Sequence, residues 1–486
     1  MTASLRALLP GVDLPDIAVS GLVLDSRCVE PGQVFVALQG TAYDGRCFIK
    51  NAVAAGACAV LCDAWAAQDN LGVPVIEVPN LANEIGKIAS RFYGEPSKHL
   101  TTVAVTGTNG KTSVTYLAAS ALNYLKRSAG IIGTLGQGFL TDLVDSGLTT
   151  PDAVVIQSSL KSLLDSGAEM ALIEASSHGL VQGRLMGTTI HAAVLTNVTR
   201  DHLDYHGDMA SYRQAKAKLL QWEGLRCALL NLDDPWLATL MQASQVPEVL
   251  GFSQMGAPAA LIRAEALTFH AAGVQFQLCT PTGKTTVQSA LLGRHNVSNL
   301  LAVAGLLYWY GVELEDIGAA LSNCQPPPGR LQAVPGSDQS VLIDFAHTPD
   351  AVTQVLLSLR PHCQGRLICV LGCGGDRDPG KRPLMGLAAA QHSDLCIFTS
   401  DNPRSERPAA IIDDMCRDLA LPMDPADCLT DRKAAIQRAL TLQEPGDVVV
   451  ILGKGHEQYQ EIQGVRYPFN DQAIVAAELM QRGVAS

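Results

Sequence analysis

The sequence predicts an α/β chain of three domains built on mainly parallel sheets. Length is the first observation: 486 residues at roughly 150 per domain call for about three cores. The second is an alternation of short apolar runs, each ending in polar residues, with helical stretches, the pattern of parallel sheets covered by helices. The third is a pair of proline-bearing breaks, GEPSKHL and NCQPPPGRL, which divide the chain into 1–98, 99–328 and 329–486.

In the first domain GLVLDSR, QVFVALQG and CAVLC are strand candidates around an alanine-rich helical stretch. The second opens at HLTTVAVTGTNGKTSVTYLAASALNYL, an apolar strand meeting a glycine turn and a long helix. MALIEASS, HAAVLTNVT and CALLNLDD continue its sheet. In the third, SVLIDFAHTPDA, RLICVLGCGGDRD, DLCIFTSDNPR and DVVVILGKGHE are apolar strands with polar endings. Ligands of open α/β sheets gather at the carboxyl ends of strands, so these four endings are expected on one rim.

Composition narrows the function. A hydrophobic fraction of 47% with 17% charged residues is globular. No run approaches the roughly 20 apolar residues of a membrane span. The N-terminus, MTASLRALLPGVDLPD, lacks the basic start and apolar core of a secretion signal, so retention in the cytoplasm is expected; separately, the chain is expected to be a monomer. Thirteen cysteines without a CxxC pair fit reduced thiols. The formal charge of −12, with no dense Lys/Arg run, argues against nucleic acid as a partner. A phosphorylated small molecule remains compatible, because local amides and a few basic side chains bind it.

TGTNGKTS places Gly107, Thr108, Asn109, Gly110, Lys111, Thr112 and Ser113 between strand and helix. Glycines let backbone N–H groups close on phosphate, Lys111 can reach terminal phosphates and the Thr112 hydroxyl can meet magnesium. The spacing departs from GxxxxGK[ST], since Val105 stands where the first glycine would be. Glu174 and His202 are the obvious further metal ligands at neighbouring strand ends. Taken singly, each is as well explained by a satisfied, partly buried group. Lys216 and Lys218 in SYRQAKAKLLQW read by composition as a solvated face. GCGGDRD does not complete the dinucleotide pattern GxGxxG, and Ser176-Ser177-His178 lacks the orienting acid of a nucleophilic triad.

Together TGTNGKTS, EASSHGLVQGR, TNVTRDHLDYHGD and YRQAKAKLL resemble the Mur ligase family, the ATP-dependent amide-forming enzymes of peptidoglycan precursor synthesis. LDSR, PGQVFVAL and DGRCFI in the first domain, and DFAHTPDA, GCGGDRDPGKRPLMG, SDNPR and GKGHEQYQ in the last, resemble its tripeptide-forming branch. The resemblance implies an N-terminal UDP-binding domain, a central P-loop-type ATPase domain and a C-terminal Rossmann-like amino-acid-binding domain. It implies ATP and Mg2+, with UDP-N-acetylmuramoyl-L-alanyl-D-glutamate and meso-diaminopimelate as the other substrates, joined through an acyl phosphate. Folylpolyglutamate synthetase shares the ATPase core but lacks the uridine unit, and a nucleotide-binding regulator that had lost catalysis would lack some of these positions.

The resemblance also assigns residues. Glu174 and His202 become magnesium ligands and Lys216 the lysine carbamylated in this family, with Lys111 and Thr112 on the phosphates and metal. Asn296, Asn299, Arg330, Asp344 and His347 are implied for adenine and ribose. Asn296 is by residue type equally a helix cap, and His295 stands where many relatives have Phe. Leu24, Ser26, Thr41, Ala42 and Tyr43 are implied around the uridine, and Thr149, Thr150, Ser176, Gln182 and Arg184 along the muramoyl dipeptide. Arg377, Asp401, Asn402, Pro403, Arg404, Gly453 and Glu457 are implied for diaminopimelate. Arg404 offers a planar fork to the far carboxylate that lysine lacks, whereas DNP is also ordinary turn chemistry.

Overall fold

The structure is a computed structural model that describes residues 2–40, 44–65, 71–270, 273–337, 340–420 and 422–483. Thr41, Ala42 and Tyr43, expected around the uridine, lie outside the described residues. The chain divides into two compact units, Met1–Gly251 and Phe252–Ser486. Among the described residues no helix is long and apolar enough to cross a membrane.

The first unit begins with a parallel sheet of Gly21–Val23, Gln33–Ala37, Ala59–Cys62 and Val75–Glu77, in that order. Its strands are mostly apolar, with Gln33 and Glu77 at strand ends, because both faces are covered. Val34, Val36, Ala59 and Leu61 pack with Leu81, Ile85 and Ile88 of the helix Leu81–Phe92, while Phe35, Ala37, Val60 and Cys62 pack with Ile49 and Ala52.

The unit's second sheet runs Cys227–Asn231, Ala192–Leu195, Thr101–Thr106, Met170–Glu174, Ala129–Gly133 and Gly136–Phe139. The first five strands are parallel and the last is an antiparallel edge. Val105 is in register with Glu174 on one side and Val194 on the other, so the strand ends that carry the expected phosphate chemistry lie side by side.

The second unit departs from the expected alternation at Ile262–His270, Gly273–Thr280 and Gly283–Ser289, which form an antiparallel meander. Burial alternates along Gly283–Ser289, with Lys284, Thr286 and Gln288 exposed and the residues between them turned to the packed side. The helices Arg294–Trp309 and Leu314–Asn323 follow. A six-stranded sheet then takes the order Gln332–Ala333, Val341–Asp344, Val448–Leu452, Leu367–Cys373, Leu395–Ser400 and Cys428–Leu429, parallel except at its first pair. Leu342, Val450, Leu371 and Phe398 fill one face, and Ile343, Val449, Val370 and Ile397 the other. Asp344 pairs with Leu452, Leu371 with Leu452, and Cys373 with Ser400. The four strands therefore end level, and their polar continuations leave on one rim as the sequence predicts.

Candidate active site

In the first unit the glycine loop joins the strand Thr101–Thr106 to the helix Lys111–Tyr124. Its backbone is held from the neighbouring segment: Thr108 N donates to Asn197 O at 2.8 Å and Asn109 N to Asn197 Oδ1 at 2.9 Å. A Cβ at Gly107 would fall 1.8 Å from Thr196 Oγ1, so only glycine fits there. The Gly107 carbonyl accepts from two lysines, Lys111 Nζ at 2.9 Å and Lys216 Nζ at 2.7 Å.

Lys216 is buried, contrary to its composition-based reading as a solvated face, because the helix Met209–Ala217 turns Tyr212, Ala215 and Lys216 inward. Burial, reinforced by the charge of Lys111, holds its ammonium well below the ordinary lysine range. Its Nζ lies 4.6 Å from the centre of the Tyr212 ring, and the Tyr212 hydroxyl is 3.0 Å from Thr108 Oγ1.

Glu174, the last residue of its strand, is buried and accepts from Thr112 Oγ1 at 2.9 Å, Thr134 N at 2.8 Å and Thr134 Oγ1 at 3.2 Å. Magnesium favours hard oxygen ligands and is commonly held by one or two carboxylates plus substrate phosphates. Glu174 and Thr112 at the mouth of a phosphate loop fit that donor set. Among the described residues no group of three or more His, Cys, Asp or Glu side chains is arranged as a metal cage. His202 lies beyond its strand end at the N-terminus of the short helix Leu203–His206, its ring 4.8 Å from that of His178. Burial lowers the pKa of both imidazoles, which favours their neutral forms.

A second group surrounds Glu174. Thr150 Oγ1 donates to the Glu174 carbonyl at 2.6 Å, accepts from Ser176 N at 3.0 Å and lies 3.0 Å from Ser176 Oγ. Arg184 donates through Nη1 to Thr150 O at 2.6 Å and through Nη2 to Gln182 Oε1 at 2.6 Å. Thr149 Oγ1 accepts from Thr134 Oγ1 at 3.1 Å. Thr149, Thr150, Ser176, Gln182 and Arg184, scattered over two sequence motifs, thus form one connected patch. Leu24 and Ser26 follow the end of strand Gly21–Val23, where Ser26 opens a short 3-10 turn capped by Asp25.

In the second unit Asn296 lies inside the first turn of its helix, so it is not the cap. Its Nδ2 donates back to Leu292 O at 2.8 Å and its Oδ1 accepts from Asn299 Nδ2 at 2.9 Å. The Arg330 guanidinium sits 4.9 Å from the Phe345 ring centre. Asp344 is buried with its oxygens on Leu331 N and Ala346 N, both at 2.8 Å, and burial raises its pKa. His347 Nδ1 lies 2.8 Å from Phe345 O.

On the rim, Asp401 and Asn402 are buried immediately past the strand Leu395–Ser400. A Cβ at Gly453 would meet Asp401 Oδ2 at 2.5 Å, so these two strand ends touch. Asn402 bridges a buried Lys454 and Glu457: Lys454 Nζ donates to Asn402 Oδ1 at 3.0 Å and to Glu457 Oε2 at 2.7 Å, and Asn402 Nδ2 donates to Glu457 Oε2 at 2.9 Å. Arg404 takes a left-handed backbone, φ 49°, and its Nη1 donates to Gly375 O at 2.7 Å. Arg377 is exposed on the same GCGGDRD loop as Gly375.

Thr134, Asn197, Tyr212, Lys454, and a fully buried pair, Arg432 and Asp471, were not legible as site residues. Only the GKG before His456 gave a local signal, for Lys454. Arg432 donates to Ser400 O at 3.3 Å and Leu452 O at 3.0 Å, so one guanidinium ties together the strand ends that precede Asp401 and Gly453.

A glycine phosphate loop beside a buried carboxylate, with a strand-end rim of paired charges, defines a P-loop-type α/β enzyme. Residues 18–93 match the Mur ligase family catalytic domain, 105–307 the Mur ligase middle domain and 329–455 the Mur ligase glutamate ligase domain. The chain belongs to the Mur ligase family. It is 47% identical over 474 residues to the UDP-N-acetylmuramoyl-L-alanyl-D-glutamate--2,6-diaminopimelate ligase of Ectopseudomonas mendocina, an alignment covering 97% of each chain. A solved structure of a ligase of the same name is 36% identical, with a TM-score of 0.72, and covers 99% of this chain and 100% of its own. The MurF ligase of Thermotoga maritima in complex with ADP shares the fold at 18% identity and a TM-score of 0.64, covering 96% of this chain and 97% of its own.

Proposed function

We propose that this chain is an ATP-dependent amide ligase that adds meso-2,6-diaminopimelate to UDP-N-acetylmuramoyl-L-alanyl-D-glutamate in the cytoplasm. The observation that carries the proposal is near-full-length identity to relatives named for that reaction. The DNPR turn supports the choice of amine: it delivers a half-buried guanidinium, Arg404, to the rim.

A carboxylate is a poor electrophile, so the terminal phosphoryl group of ATP first passes to the substrate carboxylate. The amine, in its neutral form, then attacks the acyl carbon, the C–N bond forms, the nitrogen releases one proton to solvent, and phosphate leaves with the C–O bonding pair. Lys111 and the first-turn amides of its helix neutralise charge on the transferring phosphoryl group. Thr112, Glu174 and His202 would hold magnesium, which would supply further charge neutralisation when bound. Thr149, Thr150, Ser176, Gln182 and Arg184 bind the dipeptide's acidic end, Leu24 and Ser26 the uridine, and Asn296, Asn299, Arg330, Asp344 and His347 the adenine and ribose. Arg377, Asp401, Asn402, Pro403, Arg404, Gly453 and Glu457 form the diaminopimelate site.

Lys216 has the property that carbamylation requires. Burial and the Lys111 charge favour its neutral amine, and a neutral amine adds to carbon dioxide with loss of one proton to give a carbamate anion. That anion suits a metal that an ammonium would repel.

Phosphate release from ATP, followed with the UDP-muramoyl dipeptide and either meso-diaminopimelate, L-lysine or no amine, tests the proposal. Release that depends on diaminopimelate is expected, and equal or greater release with lysine defeats the substrate assignment.

A further inference from the structure

Resting on the proposed activity, we infer that Arg382 is a positioning residue for the amine: through Glu406 it sets the separation between Arg377 and Arg404, the two arginines of the diaminopimelate site.

Arg377 and Arg404 follow different strand ends, Leu367–Cys373 and Leu395–Ser400, so neither turn alone fixes the distance between them. The two turns meet at Gly375, whose N donates to Asn402 O at 2.9 Å and whose carbonyl accepts from Arg404 Nη1 at 2.7 Å. A Cβ at Gly375 would fall 2.0 Å from Pro403 O, so the close approach needs glycine. Beyond it the loop turns at Asp376, left-handed with φ 52°, and Arg377 follows, exposed. The orientation of Asp376 therefore aims Arg377.

Asp376 is held through both its backbone and its side chain. Its N donates to Glu406 Oε1 at 2.6 Å, and its carboxylate accepts from Ser405 Oγ at 2.6 Å and Ser405 N at 3.2 Å. The two bonds from Ser405 are exposed and compete with water. Glu406 is instead gripped by Arg382, which donates through Nη2 to Glu406 Oε1 at 2.6 Å and through Nη1 to Glu406 Oε2 and Asp414 Oδ2, both at 2.9 Å. The Arg382 side chain is 4% exposed, so this end of the clamp is shielded from solvent. It lies in the first turn of the helix Lys381–His392, where the helix dipole disfavours a cation, and the two carboxylates offset that. Glu406, two residues past Arg404, thus carries a fixed point from a buried guanidinium to the backbone of Asp376. An amine whose carboxylates engage both arginines depends on that fixed spacing. Lysine, with no far carboxylate for Arg404, has nothing to lose there.

The test compares wild type, Arg382→Lys and Glu406→Gln in steady-state assays with meso-diaminopimelate, and in competition with L-lysine in large excess, the two tripeptides being weighed by mass spectrometry. Both variants are expected to raise the diaminopimelate KM roughly tenfold, the worth of one charge-assisted hydrogen bond, with kcat and the KM for ATP within about twofold. The ratio of lysine-containing to diaminopimelate-containing product then rises about tenfold. Glu406 is the more exposed partner, so Glu406→Gln supplies the result if Arg382→Lys fails to fold. An unchanged diaminopimelate KM overturns the inference. A raised KM with an unchanged product ratio also overturns it, since that assigns the pair to stability alone, and a variant that forms no lysine-containing product counts as unchanged. These outcomes leave the proposed activity standing if wild type favours diaminopimelate at equal concentration. A wild type that favours L-lysine overturns that activity and this inference with it.

Discussion

Replacing Asp471 by Asn tests how the two strand ends that carry the proposed amine site are held. Arg432 and Asp471 are both fully buried, joined by Nε to Oδ1 at 2.8 Å and Nη2 to Oδ2 at 2.7 Å. The substitution leaves a buried guanidinium without its counter-charge, at a cost of about 3–5 kcal/mol. For a unit of this size each kcal/mol shifts the unfolding midpoint by about 2–4 °C, so a fall of about 10 °C is expected in thermal unfolding followed by circular dichroism. Replacing both partners, Asp471→Leu with Arg432→Met, recovers most of it, because no charge is then stranded. Arg432 also binds the carbonyls of Ser400 and Leu452, one residue before Asp401 and Gly453. The single variant therefore also raises the KM for the amine more than that for ATP. A midpoint shift below about 2 °C refutes the energetic argument, and a lowered midpoint with unchanged amine KM refutes the positioning argument.

Gly107→Ala drives a methyl into Thr196 and displaces the carbonyl that receives Lys111 and Lys216, so ATP-dependent activity is expected to fall about 100-fold. Steady-state rates check this, and near-wild-type activity contradicts the loop geometry. Burial, with the nearby Arg330 charge second, lowers the His295 imidazole from 6.5 to about 4. Between those values the unfolded chain binds more protons, so stability falls as pH drops from about 6.5 to 4. His295→Phe removes that part of the acid sensitivity; midpoints measured from pH 7 to 4 should fall less steeply than in wild type, and parallel curves contradict the assignment.

The parallel strands were readable because burial on both faces makes them continuous apolar runs, as in MALIE and VVVIL. The meander over 262–289 was not, since its strands mix polar and apolar residues and their partners are set by antiparallel pairing. At the site, the glycine loop is local and announced itself. The Thr149 to Arg184 patch was named from motif resemblance, and its hydrogen bonds are consistent with that grouping. Arg432, at the first turn of its helix, carries no local signal of burial. Its partner lies 39 residues further on, and only packing reveals the pair. Lys216 shows the same limit: it and Lys218 stand two residues apart, yet Lys216 is buried at the end of its helix and Lys218 is exposed at the start of the 3-10 turn that follows.

The most direct measurement of the central claim is product identity under competition. The chain is given ATP, the UDP-muramoyl dipeptide, and meso-diaminopimelate and L-lysine at equal concentration, and the nucleotide product is weighed by mass spectrometry. The diaminopimelate-containing tripeptide is expected as the dominant product, with one phosphate released per amide formed. A dominant lysine-containing tripeptide, or no ATP-dependent amide with either amine, contradicts it.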